Sequence, residues 1–162
     1  MSEPLTRVDH SALRVNQAMI ILLSISAFVV NVTWLVAIVG LVMLTGTVLR
    51  QPGFKFVYAS FLKPRGIVKP DVIADNPQPH IFAQGMGGTV LAIAVVAFLL
   101  NGAVVGWALT WLVIALAALN LFAGFCVGCF IYYWLGRLHL PGFNVQPPAG
   151  TFPGMRPSQR TS

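Results

Sequence analysis

The sequence predicts an all-α membrane protein, a four-transmembrane-helix bundle arranged as two helical hairpins, and three observations carry that prediction. Of the 162 residues, 57% are hydrophobic and 9% are charged, with a mean hydropathy of +0.80. So few polar groups could not cover a water-soluble globule, whereas lipid accepts the excess. Formal charges are absent from residues 15–49 and again from residues 76–136. Each run exceeds the roughly 20 residues that a helix needs to cross about 30 Å of hydrocarbon, so each is expected to cross twice with a short turn between. The 10 lysines and arginines all fall outside those runs, at Arg7 and Arg14, between Arg50 and Lys69, and from Arg137 onward.

The first hairpin is expected over 15–30 and 33–49, turning near Asn31. These crossings are short, which predicts little tilt. One long helix instead would put Asn31 and Thr33 at mid-bilayer and strand the charges on opposite sides. Ser24 and Ser26 resemble a signal-cleavage site, but the apolar run continues past them, as in an uncleaved anchor. The loop 50–80 contains Pro52, Pro64, Pro70, Pro77 and Pro79, which exclude a long helix. Its stretch from Phe54 to Leu62 is amphipathic, with Phe54, Phe56, Tyr58 and Phe61 expected to sink into the interface while Lys55 and Lys63 stay wet. The second hairpin is expected over 87–106 and 109–135, turning near Trp107. Together these elements make a membrane domain over residues 1–140, and the Pro- and Gly-rich tail 141–162 is expected to be disordered.

In this arrangement both termini and the loop 50–80 share one side with every lysine and arginine. Basic residues in short loops stay in the cytoplasm, so both termini are expected to be cytoplasmic. The net charge of +6 would also suit nucleic acid, but its residues flank membrane segments and form no basic stripe, so lipid headgroups are the expected partner.

Two cysteines form a C-x-x-C at Cys126 and Cys129, eight and eleven residues before Arg137. In an unbroken fourth helix they would lie roughly 12–17 Å below that charge, on one face with Phe122, Phe125 and Tyr133, at about 100° per residue. That face could meet another helix, a protein partner or a quinone. Gly124 and Gly128 would line the opposite face and pack against a neighbouring helix, such as the third with its Gly102 and Gly106. Residues i and i+3 can bridge as a disulfide, exchange thiols or hold a soft metal, and buried cysteine can also be plain packing. The packing reading gains from electrostatics, because the carboxyl-terminal half of a helix disfavours a thiolate. His80, where the third helix begins, is either an interfacial residue or a proton-transfer group facing the cysteines. His10 and His139 lie in flanking segments, and no conventional His-x-x-x-His or His-Glu-x-x-His metal spacing occurs. No phosphate loop, dinucleotide fingerprint, nucleophile triad or paired carboxylate is present.

Three stretches in order resemble the DUF4395 family of small bacterial membrane proteins: Val8-Asp9 with Arg14-Val15-Asn16-Gln17, Pro79-His80 with Phe82-Ala83-Gln84-Gly85, and Phe125-Cys126-Val127-Gly128-Cys129. The resemblance implies a bacterial inner-membrane location and a context beside thioredoxin-like or sulfurtransferase-like partners. Membrane enzymes of the vitamin K epoxide reductase type also carry a C-x-x-C in a helix, but this chain lacks their second cysteine pair. The expected activity is a thiol-disulfide or sulfur relay at Cys126 and Cys129. The competing expectations are a membrane scaffold with structural cysteines and a carrier of thiophilic metals or sulfur species.

Overall fold

The computed structural model describes residues 6–138, 140, 142–143, 145–148 and 150–157. Among them the order is β1 (Thr6–Asp9), α1 (His10–Val29), α2 (Thr33–Val48), α3 (Lys55–Val57) running into a π-turn (Tyr58–Leu62), β2 (Val72–Asp75), α4 (Pro77–Leu99), α5 (Ala103–Ala123) and α6 (Val127–Arg137). The chain is mostly helical, with one departure from all-α: β1 and β2 pair antiparallel from Thr6 opposite Asp75 to Asp9 opposite Val72. Three helices, α1, α4 and α5, are long and apolar enough to cross a membrane, and α2 is apolar but has 16 residues.

Helix starts and stops follow local chemistry. Asp9 caps α1 by accepting from the Ser11 N–H at 3.0 Å, so α1 begins at His10, five residues before the expected start. The first turn falls near Asn31 as expected, with φ of 55°. Asn101 repeats that conformation at φ 59°, just before Gly102, and closes the second hairpin there rather than near Trp107. Asparagine tolerates the left-handed region and ends helices for that reason. The third helix accordingly spans Pro77–Leu99 instead of 87–106, and its first turn admits Pro77 because no intrahelical donor is needed there. The expected fourth helix, 109–135, is two helices. Gly124, at φ 65°, stops α5, and the chain restarts as α6 from Cys126.

α4 packs against α2, α5 and α6, and α1 packs against α2 and α5. Small residues set the separations: a Cβ on Gly40 would lie 3.1 Å from Leu91 Cβ, and one on Gly88 2.9 Å from Leu44 Cγ. Ile20, Val36, Val39, Met43, Leu91, Val113 and Ala117 fill the centre, while Leu22, Val29, Trp34, Leu41, Leu99 and Val104 face outward. An apolar exterior around an apolar core is what a lipid environment selects. The ends of the hairpins opposite Asn31 and Asn101 carry the β ribbon, and of the aromatic residues expected at the interface, Phe54 and Tyr58 turn inward while Phe56 and Phe61 stay outside.

A polar knot fixes the loop to this end. Asn16 Nδ2 donates to Gln84 Oε1 at 3.2 Å, the Phe54 N–H donates to Asn16 Oδ1 at 2.9 Å, and the Gly53 N–H donates to Gln84 Oε1 at 3.0 Å. Gln84 Nε2 donates in turn to the carbonyls of Met43 and Gln51, at 3.0 and 3.1 Å.

The described residues of the tail contact the bundle. The Cys126 N–H donates to the Gly154 carbonyl at 2.8 Å and the Arg156 N–H to the Gly124 carbonyl at 3.0 Å, pairing Phe125 with Met155. Phe152 stacks on Phe130, Val145 is buried beside Tyr132 and Tyr133, and Arg156 pairs with Asp71. The helix break explains the docking, because it exposes backbone at Gly124–Cys126 that needs partners. Residues 141, 144, 149 and 158–162 of the expected disordered segment lie outside the described residues.

Asn16→Ala leaves the buried Phe54 N–H without its acceptor and removes one of the two donors to Gln84 Oε1. A loss of about 2 kcal/mol is expected, read as a lowered unfolding midpoint in detergent, and an unchanged midpoint would remove the knot from the account of the fold.

Candidate functional site

The site lies at the ribbon end of the bundle and is assembled from four elements. β2 ends at Asp75, α1 begins with His10, the first turn of α4 carries His80, and α6 begins immediately after Cys126. Cys126 and Cys129 are joined by a disulfide with a Cα–Cα distance of 5.2 Å. They are 6% and 3% exposed.

The break at Gly124 changes the electrostatics expected for this pair. Cys126 is the N-cap of α6 and its sulfur accepts the Cys129 N–H at 3.2 Å, so both cysteines stand at the amino-terminal end of a helix. That end favours negative charge on sulfur, the reverse of what an unbroken helix would supply. The same break corrects the expected depth. The pair sits level with the first turns of α1 and α4, beside His10 and His80, not part-way down a crossing.

His80 faces the pair, with Nδ1 3.5 Å from Cys129 Sγ. Its Nε2 lies 3.0 Å from Asp75 Oδ2, and His10 Nε2 approaches the same oxygen at 3.1 Å. The other carboxylate oxygen accepts the Asn76 N–H at 2.7 Å. Asp75 is only 3% exposed. Burial by itself would raise its pKa, but the close approach of His10 and His80, the charge of His80 and the Asn76 N–H outweigh it and hold the carboxyl well below the usual range. An acceptor at Nε2 holds that edge of the ring, which leaves Nδ1 facing Cys129. A small cleft opens beside the pair, with His10, Gln17, Asn120, Tyr133 and Arg156 among its walls.

The three aromatic residues expected on one helix face are divided by the break. Phe122 is 84% exposed on α5, Tyr133 is 7% exposed within α6, and the Phe125 ring lies 6.0 Å from Phe130 beyond the break. The expected glycine face also divides: Gly128 meets α4, where a Cβ would lie 2.5 Å from Ala83 Cβ, while Gly124 is spent on the helix stop. Gly102 and Gly106 belong to the start of α5 instead of the third helix.

Asp75 was not singled out from the sequence, and His10 was set aside there as a residue of a flanking segment. The available signal was positional: two of the four acids, Asp9 and Asp75, stand just before apolar helices, and each is followed closely by a histidine.

The fold and site thus define a mostly helical chain with membrane-length apolar helices and a cysteine pair backed by histidine and aspartate. Residues 8–137 match the family described as Domain of unknown function (DUF4395), and the chain belongs to that family. The match contains all three stretches that carried the resemblance. No curated protein and no solved structure matches the chain.

Because the folded pKa of Asp75 is depressed, its contribution to stability is present above the ordinary carboxylate range and is lost as pH falls from about 4 toward the lower folded value. Asp75→Asn should lower stability at neutral pH by about 3 kcal/mol and flatten the acid limb of a plot of unfolding midpoint against pH. An acid limb as steep as that of the parent chain would assign it to another group.

Proposed function

We propose that the chain crosses the bacterial cytoplasmic membrane four times with both termini in the cytoplasm, and that Cys126 and Cys129 exchange between disulfide and dithiol with a thioredoxin-like protein at that face. The 16 residues of α2 rise about 24 Å, which a locally thinned bilayer accommodates as the return limb of the first hairpin. Arg7, Arg14 and the basic residues from Arg50 to Lys69 flank or lie between the helix ends that the ribbon joins, which supports a cytoplasmic position for that face.

The observation that carries the relay is the line from Asp75 through His80 to Cys129 Sγ, aimed at a disulfide on a helix amino terminus. In the reducing direction a thiolate of the partner attacks Cys126 Sγ, forming a mixed disulfide and breaking the bond to Cys129. The electron pair leaves on Cys129 Sγ and takes the Nδ1 proton of a doubly protonated His80. The partner's second thiol then attacks its own sulfur in the mixed disulfide, giving up its proton to re-protonate His80 and releasing Cys126 as a thiolate that keeps its hydrogen bond from the Cys129 N–H. Two electrons and one proton pass to this chain and the partner ends as a disulfide. The reverse reaction uses His80 as the base for Cys129.

Reduction by a thioredoxin-type dithiol in native membranes, followed by thiol alkylation, tests the reading. The parent chain should acquire two reactive thiols, and His80→Asn should slow the exchange by about 100-fold. A disulfide that reacts only after unfolding would overturn the relay. For the topology, a fluorescent protein fused after Ser162 should fluoresce in cells and an alkaline phosphatase fused there should be inactive. The opposite pair of results would overturn the orientation.

A further inference from the structure

We infer that, in the reduced chain, Cys126 Sγ, Cys129 Sγ and His80 Nδ1 form a three-ligand site for a thiophilic d10 cation of the zinc(II) and copper(I) class, with a fourth position open to the cleft. This rests on the reading of the pair as reducible. The three ligand atoms already lie within 4.8 Å of one another, drawn from α4 and from the start of α6, 46 residues apart in sequence at their closest. No conventional metal-ligand spacing joins them, which is why the sequence does not reveal the set.

The separation of Cys129 and His80 fits such a cation, and the two sulfurs, bonded to each other in the oxidised form, part on reduction to admit it. Tetrahedral zinc, with bonds of about 2.3 Å to sulfur and about 2.05 Å to nitrogen, separates its sulfur and nitrogen ligands by about 3.6 Å. His80 Nδ1 stands 3.5 Å from Cys129 Sγ, so neither the ring nor α6 has to move to bring them to that separation. A ligating histidine ordinarily donates its remote N–H to a carboxylate, which fixes the ring and strengthens the bond to the metal. Asp75 occupies that position, with Oδ2 3.0 Å from His80 Nε2. The Cys129 N–H at 3.2 Å from Cys126 Sγ supplies the matching support to one sulfur. Two sulfurs and an imidazole select a soft cation over magnesium or calcium. His10 stands behind Asp75 and supports the carboxylate rather than the cation.

The chemistry makes oxidation and loading exclusive. A phosphine with water, which ends as phosphine oxide, or a dithiol, which ends as a disulfide, supplies the two electrons and two protons that convert the disulfide to two thiols. A divalent cation then displaces two protons and binds both thiolates, and re-forming the S–S bond, with the disulfide of a thioredoxin-type partner as the two-electron oxidant, expels it. One set of atoms therefore holds either a disulfide or a cation, and loading withholds the thiolates from exchange.

The test uses the full chain in detergent, reduced anaerobically with a phosphine that is then removed, and titrated with cobalt(II) followed by zinc(II). The expected result is one equivalent of cobalt with thiolate-to-metal charge-transfer absorption, displaced by one equivalent of zinc, and no such absorption from the disulfide form. Cys126→Ser and Cys129→Ser should abolish the signal. Asp75→Asn, checked by circular dichroism and by its ability to re-form the disulfide, should weaken binding by about 10- to 100-fold. Reduced parent chain without the charge-transfer band, or with a band that survives both cysteine substitutions, would overturn the site. Dithiol exchange on the same preparation separates the two readings. Exchange without cation binding removes the cation site alone, cation binding without exchange removes the relay alone, and a disulfide that resists the phosphine in the folded chain removes both.

Discussion

A buried carboxylate at the end of an apolar bundle has to be met by donors on the spot, and in this chain that requirement organises the functional end of the molecule. Asp75 closes β2 and receives His10 from the first residue of α1, His80 from the first turn of α4 and the N–H of Asn76. Each contact satisfies charge that water does not reach, and together they join the ribbon to two helix starts. Asp9 plays a related part on the opposite strand. It caps α1, accepts from the Tyr58 hydroxyl at 2.8 Å and draws the Asp71 N–H into the same turn. The orientation of the His80 ring toward Cys129 follows from where Asp75 holds its far nitrogen.

The second determinant is the single left-handed residue at Gly124. An uninterrupted helix would carry the cysteines along the line of α5 with a carboxyl-terminal dipole around them. The stop ends α5, leaves the backbone of Gly124–Cys126 to be satisfied by the tail, and restarts the helix with Cys126 as its cap. Local backbone chemistry thereby decides whether a C-x-x-C is a buried apolar pair or one placed at the positive end of a helix dipole.

Much of this was legible in the sequence because membrane helices announce themselves by length and lack of charge. The first hairpin, the turn at Asn31, the family and the proximity of His80 to the region of the cysteines could all be read from residue order. The second hairpin was misplaced by about ten residues at its start, because Pro77, Pro79 and His80 look like a loop until their position in a first helical turn is considered. Asn101-Gly102 was the available stop signal for that helix, and Trp107 competed with it only as an interfacial aromatic. Gly124 was read as a packing residue, since small residues serve both close approach and left-handed stops and periodicity does not distinguish the two uses. Asp75 was out of reach of motif reasoning. Its partners come from α1 and α4, and only the pairing of β1 with β2 brings the two helix starts together.

The clamping of the cysteine backbone bears on how either chemistry would proceed. On one side Gly128 lies so close to Ala83 that a side chain would not fit, which seats α6 on α4. On the other, Gly154 carries the tail across Cys126, where a Cβ would lie 2.9 Å from the Cys126 carbonyl oxygen. The N–H of Cys126 is spent on Gly154 and its carbonyl on the Phe130 N–H at 2.9 Å. With both peptide groups of the cap engaged, opening the S–S bond is left to rotation of two side chains and requires no rearrangement of α6. Under either proposal, a site built in this way would change the state of its sulfurs at small reorganisation cost, because the His80–Asp75 pair and the helix amino terminus are already positioned in the oxidised form.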